Sequence, residues 1–169
     1  MHTNISTKIE GFHLRKASRN DISIVLEFIK NLADYEKLSH EVVATEEKLE
    51  MYLFGKEKVA EVVIGYYGEK PVAFALYFFN FSTFLAKPGI FLEDLFVLEE
   101  YRGKGFGKVL LTFLAKLARD KECGRVEWAV LDWNEPSVDF YKSLGARQMT
   151  EWTVNRVTGK ALEELADQF

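Results

Sequence analysis

Apolar residues in this chain fall into two alternating patterns, short continuous runs and stretches with one apolar face at helical spacing, and these mark out the elements. Residues 9–16 read as a first strand. Ser18, Asn20 and Asp21 then offer helix-capping side chains, and Ile22, Val25, Leu26, Ile29, Leu32 and Ala33 share one helical face. Thr45 caps a short second helix that runs to about Phe54 and stops at Gly55. Residues 59–67 and 72–80 read as strands joined by the turn Gly68-Glu69-Lys70-Pro71, which predicts an antiparallel hairpin. A second turn, Lys87-Pro88-Gly89, leads into a strand over 90–97. The clearest helix follows, with Val109, Leu110, Phe113, Leu114, Leu117 and Ala118 as its apolar stripe and Gly124 as its expected cap. Residues 126–131 read as a strand buried on both faces, because they alternate poorly. Pro136 opens a short helix that Gly145 ends, 148–154 reads as a strand, and 158–166 as a last helix. The order β-α-α-β-β-β-α-β-α-β-α predicts an α/β (mixed α+β) fold, one mixed sheet with helices on it, in a single domain over residues 1–169.

Size and composition narrow the function classes. A chain of 169 residues, 48% hydrophobic and 14% aromatic, fills one sizeable core. A net charge of −4 argues against non-specific nucleic-acid binding. Cys123 is the single cysteine, so no intrachain disulfide forms and a reducing, cytoplasmic setting is expected. The most apolar stretch, 72–85, is shorter than the roughly 20 residues of a membrane helix and is interrupted by Asn80 and Ser82. No membrane association is expected. His2, His13 and His40 lack ligand spacing, so no metal site is expected either.

Candidate chemistry concentrates in the second half. Arg102-Gly103-Lys104-Gly105-Phe106-Gly107-Lys108 lies between a strand and a helix. Such a turn aims backbone N–H groups and a helix N-terminus at one point, which suits phosphate. It is neither a P-loop nor a dinucleotide fingerprint, since the glycine spacing fits neither and Lys108 is followed by Val109. Glu93 and Asp94 are neighbouring acids in an apolar strand. They read either as solvated acids at a strand edge or as a carboxylate site for a cationic amine. Asn134 reads as a helix cap, and Tyr141 either as a half-buried aromatic or as a phenol able to protonate a leaving thiolate.

Three segments carry a family resemblance: Leu92-Glu93-Asp94-Leu95-Phe96-Val97, then Tyr101-Arg102-Gly103-Lys104-Gly105-Phe106-Gly107, then Asp132-Trp133-Asn134-Glu135-Pro136-Ser137 through Tyr141-Lys142. Together they resemble the GNAT superfamily of acetyl-CoA-dependent N-acetyltransferases. Within it the chain is most similar to the spermidine/spermine (diamine) and thialysine acetyltransferases, the latter through Leu32-Ala33-Asp34-Tyr35-Glu36-Lys37-Leu38-Ser39. The resemblance implies the GNAT fold, a mostly antiparallel twisted sheet flanked by helices, and a homodimer. It implies acetyl transfer from acetyl-CoA to a primary amine of a small diamine, polyamine or lysine-like molecule. Alternatives are a peptide or protein amine as acceptor, or a non-catalytic acetyl-CoA-binding module.

Roles follow from the same resemblance. The backbone at Leu95, Phe96 and Val97 would hold the pantetheine arm, and Arg102, Gly103, Lys104, Gly105, Phe106, Gly107 and Lys108 the pyrophosphate. Asn134, Glu135, Pro136 and Ser137 would border the cofactor. Tyr141 would be the general acid and Glu93 would help deprotonate the amine. Tyr35, Glu36, Glu93, Asp94, Glu127, Trp128 and Ala129 would contact the acceptor. Lys37 and His40 dilute the acidic patch beside Tyr35, which disfavours long polycations.

Overall fold

A computed structural model describes residues 4–169. Its first compact unit runs to Ala129 and contains a six-stranded sheet. The strands are β1 (Ile5–Ser6), β2 (Phe12–Lys16), β3 (Glu61–Tyr67), β4 (Lys70–Ser82), β5 (Lys87–Val97) and β6 (Val126–Trp128). They lie side by side in chain order. Every pairing is antiparallel except β5 with β6, which is parallel. Three helices accompany the sheet: α1 (Ile22–Tyr35), α2 (Glu46–Phe54) and α3 (Phe106–Asp120).

The continuous apolar runs in β3 and β4 are explained by helices on both faces. On one face Val25 and Phe28 of α1 and Leu53 of α2 pack with Val62, Ile64, Tyr66, Phe74 and Phe96. On the other, Phe106 of α3 stacks on Phe12 with ring centroids 3.9 Å apart and also meets Tyr67. Phe12 in turn lies over Gly65, where a Cβ would sit 2.6 Å from the Phe12 ring. A side chain there would push the ring out of its stack with α3. Entry to α1 is fixed by Asp21, buried at 5% exposure, whose carboxylate takes a two-pronged contact from Arg15 at 3.0 and 2.7 Å and the N–H of Ser18 at 2.8 Å.

The predicted helices and the central hairpin are present within a few residues of their expected limits. Thr45 caps α2 by accepting from the Lys48 N–H, and the Gly55 N–H bonds back to Met51. Several readings need correction; one is the turn expected at Lys87-Pro88-Gly89, which lies inside β5, paired with Ser82, Phe81 and Asn80. The first strand begins at Phe12, and Ile5–Ser6 forms a separate edge strand. β6 stops at Trp128 rather than 131, and its residues are half-buried rather than buried on both faces. The left-handed residue after α3 is Glu122, at φ 56, not Gly124. Gly124 instead serves a close approach, since a Cβ there would lie 2.7 Å from Leu85 Cδ1.

The second compact unit spans residues 130–169. It holds α4 (Glu135–Ser143) and α5 (Gly159–Ala166), with Pro136 in the first turn of α4 and Gly145 at φ 88 after it. No strand forms over 148–154. A strand needs a neighbouring ladder, and here the Trp152 N–H closes a local turn on the Met149 carbonyl at 3.1 Å.

Candidate active site

The open edge of β5 is the first element of the site. β6 pairs only with Ile90, Phe91 and Leu92. From Glu93 to Val97 the edge of β5 on that side continues past the end of β6. A bulge sits at the same point: Leu76 pairs with Asp94 and Tyr77 with Leu92, so Glu93 is the extra residue. Cross-strand partners share a face. Leu92 therefore lies with Tyr77 on the α3 face, whereas Asp94 lies with Leu76 on the α1 face, next to the Phe74–Phe96 pair. Simple alternation would have left Leu92, Asp94 and Phe96 on one face. The bulge lets both faces keep their apolar residues while Glu93 stands exposed at the kink.

The acids behave as a group. Burial pushes the Asp94 carboxyl up to about 6, and the neighbouring charges of Glu93 and Glu36 push the same way. Burial also raises Glu36, which follows the last residue of α1. Negative charge from α1 and from both sides of the bulge thus converges where β5 opens. Glu127 stands apart from this group. It pairs with Arg125 at 2.7 Å and accepts from Asn80 at 3.3 Å, and Trp128 ends β6 beside it while Ala129 is exposed.

The glycine turn supplies the second element. Gly103 and Gly105 adopt φ 75 and φ 84, a left-handed conformation that favours glycine. Nothing lies within 4 Å of a Cβ built on Gly103, so the turn is an open cradle. The first α3 bond runs from the Val109 N–H to the Gly105 carbonyl, which leaves the N–H groups of Phe106, Gly107 and Lys108 at the helix end. Lys104 and Lys108 are exposed beside them, while the Phe106 side chain is buried. This donor set fits a pyrophosphate. Among the predicted turn residues Arg102 differs, because its side chain folds back: Nε donates to the Val97 carbonyl at 3.1 Å, and the guanidinium lies 4.5 Å from the Tyr35 ring centroid. Leu95, Phe96 and Val97 form the strand end between these parts.

In the second unit, Asn134 is buried and caps α4, accepting from the Ser137 N–H. Ser137 and Tyr141 are four residues apart and share a helix face, with Glu135 and Pro136 in the exposed first turn. The Tyr141 ring lies 5.4 Å from Phe140 and is half-buried.

Residues 28–146 match the acetyltransferase (GNAT) family. The chain belongs to the GNAT acetyltransferase family. A thialysine N-epsilon-acetyltransferase from Sus scrofa is 41% identical, covering 90% of this chain and 96% of the relative. An L-ornithine N5-acetyltransferase from Arabidopsis thaliana is 32% identical, covering 90% and 86%. A solved integron cassette protein from the mobile metagenome of V. cholerae superposes with a TM-score of 0.78 at 26% identity, covering 92% of this chain and 98% of that one. With N-acetyltransferase relatives over nearly its whole length, the chain is an amine N-acetyltransferase.

The feature that sequence reading missed is the bulge. It was hidden because it depends on the partner strand, although two acids interrupting an apolar strand mark the place.

Proposed function

We propose that this chain transfers the acetyl group of acetyl-CoA to the terminal primary amine of a small lysine-like or diamine acceptor. The observation that carries the reading is the convergence of Glu36, Glu93 and Asp94 at the open end of β5, next to a turn built for an anion. Such a site attracts an ammonium group and places it beside a cofactor-binding edge. Two relatives are named for side-chain amines of amino acids, thialysine and ornithine, which favours a lysine-like acceptor. Lys37 and His40, both exposed beside Glu36, work against a long polycation. The family match runs from the first compact unit into the second, which supports one acetyltransferase domain over the chain. The free Cys123 fits a cytoplasmic location, and we assign a homodimer on the strength of the apolar surface treated below.

The N–H groups of Gly103 to Lys108 would hold the pyrophosphate, with Lys104 and Lys108 adding charge. The β5 edge at Leu95, Phe96 and Val97 would hydrogen-bond the pantetheine arm, and Asn134 to Ser137 would border it. Bound acetyl-CoA supplies an activated acetyl thioester. An alkylammonium has a pKa near 10, so the acceptor must lose a proton before it attacks. Asp94 and Glu36 draw in the cation, and Glu93 at the exposed bulge accepts its proton through water. Tyr141 Oη would donate a proton to the departing thiolate.

The test is thiol release from acetyl-CoA with putrescine, spermidine, lysine, thialysine and a histone-like peptide. Turnover is expected with lysine, thialysine or putrescine, and turnover with the peptide alone would overturn the acceptor assignment. Tyr141→Phe is expected to lower kcat about 100-fold while acetyl-CoA still binds. Unchanged kcat would remove Tyr141 from its role.

A further inference from the structure

We infer that Arg102 is a positioning residue for the amine acceptor, acting through the ring of Tyr35. The inference rests on the amine-transfer reading above. The Arg102 side chain reaches back across the end of β5. Nε donates to the Val97 carbonyl at 3.1 Å, and the guanidinium lies 4.5 Å from the centre of the Tyr35 ring and 5.4 Å from that of Phe96.

Tyr35 is the last residue of α1, and Glu36 follows it. The Glu36 carboxylate is one of the two charges acting on Asp94. The turn carrying it is strained, because Lys37 adopts φ 62, where a side chain is disfavoured. It is closed by the Leu38 N–H on the Ala33 carbonyl at 2.8 Å and the Lys37 N–H on Asp34 at 3.1 Å. The guanidinium gives this turn a fixed neighbour on β5. One side chain thus links the anion-binding turn, the open strand edge and the helix end that aims Glu36 at the acceptor. Arginine suits the task because a planar guanidinium stacks on a ring while its Nε–H donates sideways. A lysine ammonium does not combine the two.

The test compares the unaltered chain with Arg102→Met, Arg102→Lys, Tyr35→Phe, Tyr35→Leu and the double variant Arg102→Met/Tyr35→Leu. Each is titrated with lysine and with putrescine in the absence of cofactor, then assayed for the KM of amine and of acetyl-CoA. Without cofactor, a phosphate contact contributes nothing to amine affinity. Amine Kd is expected to rise about fivefold to tenfold in Arg102→Met and in Tyr35→Leu. Tyr35→Phe keeps the ring and is expected to weaken amine binding less than Tyr35→Leu, and Arg102→Lys follows the Met variant. The double variant is expected to bind no more weakly than either single one, because both remove the same contact. Effects that multiply, or a rise confined to the KM of acetyl-CoA, would overturn the inference while leaving the amine-transfer reading intact. An unaltered chain that acetylates no amine would overturn that reading, and the acceptor role of Arg102 with it.

Discussion

Asp94 carries its charge under strain from its surroundings, and that has a measurable sign. Its folded value of about 6 lies above the ordinary carboxyl value of 3.8, because of burial first and of Glu93 and Glu36 second. Between those two values the folded chain binds more protons than the unfolded one. Stability therefore falls as pH rises through that window and stays lowered above it. Asp94→Asn lacks this loss. The variant is expected to match the unaltered chain below about pH 4 and to exceed it by about 1–3 kcal/mol at pH 7. Urea unfolding at the two pH values measures the gap, and a gap independent of pH would remove the assigned shift. Function should move the opposite way. Affinity for lysine or putrescine is expected to strengthen in the unaltered chain between pH 5 and 7, as Asp94 ionises, and to stay flat in Asp94→Asn.

At the level of elements, β5 and the turn after it carry most of the proposed site. Gly103 and Gly105 hold φ 75 and φ 84, and Gly68 at the β3–β4 turn holds φ 60. No atom lies within 4 Å of a Cβ at Gly103 or Gly68, so alanine at either position introduces backbone strain without a clash. Gly103→Ala and Gly68→Ala are each expected to lose about 1 kcal/mol of stability. Only Gly103→Ala should also weaken acetyl-CoA binding, because its loop carries the N–H groups. Calorimetric titration with acetyl-CoA separates the two, and equal weakening would deny the turn its role. The glycines and the α3 stripe were legible because both patterns are local: spacing in the sequence is spacing on the helix. The bulge at Glu93 was not, since an extra residue in β5 is defined only by what Leu76 and Tyr77 pair with. The same dependence on a neighbour cut β6 short at Trp128 and left 148–154 without a ladder despite its strand-like residues. Two-residue β1 is too short to leave any periodicity.

Across the molecule, apolar exposure falls mainly in two stretches, Phe79 to Leu85 and the C-terminal end. Trp152 and Val154 are 71% and 82% exposed, and Val157, Leu162 and Leu165 are exposed as well. Scattered apolar side chains on a surface need no explanation; for a run of them on an amphipathic helix and the segment before it, we propose an association surface. The α5 residues include no buried side chain. A second copy of the same chain is always available at the chain's own concentration, and a two-fold contact closes without leaving the patch open. A net charge of −4 is too small to keep two copies apart at physiological salt. The unaltered chain, 19.5 kDa as a monomer, is therefore expected to sediment at about twice that mass. Trp152→Asp with Val154→Asp places two carboxylates on the surface without touching the core of the first unit. This variant is expected to sediment as a monomer with its far-ultraviolet dichroism unchanged. A monomer already in the unaltered chain, or a dimer that survives both aspartates, would show that this surface does not hold two copies together.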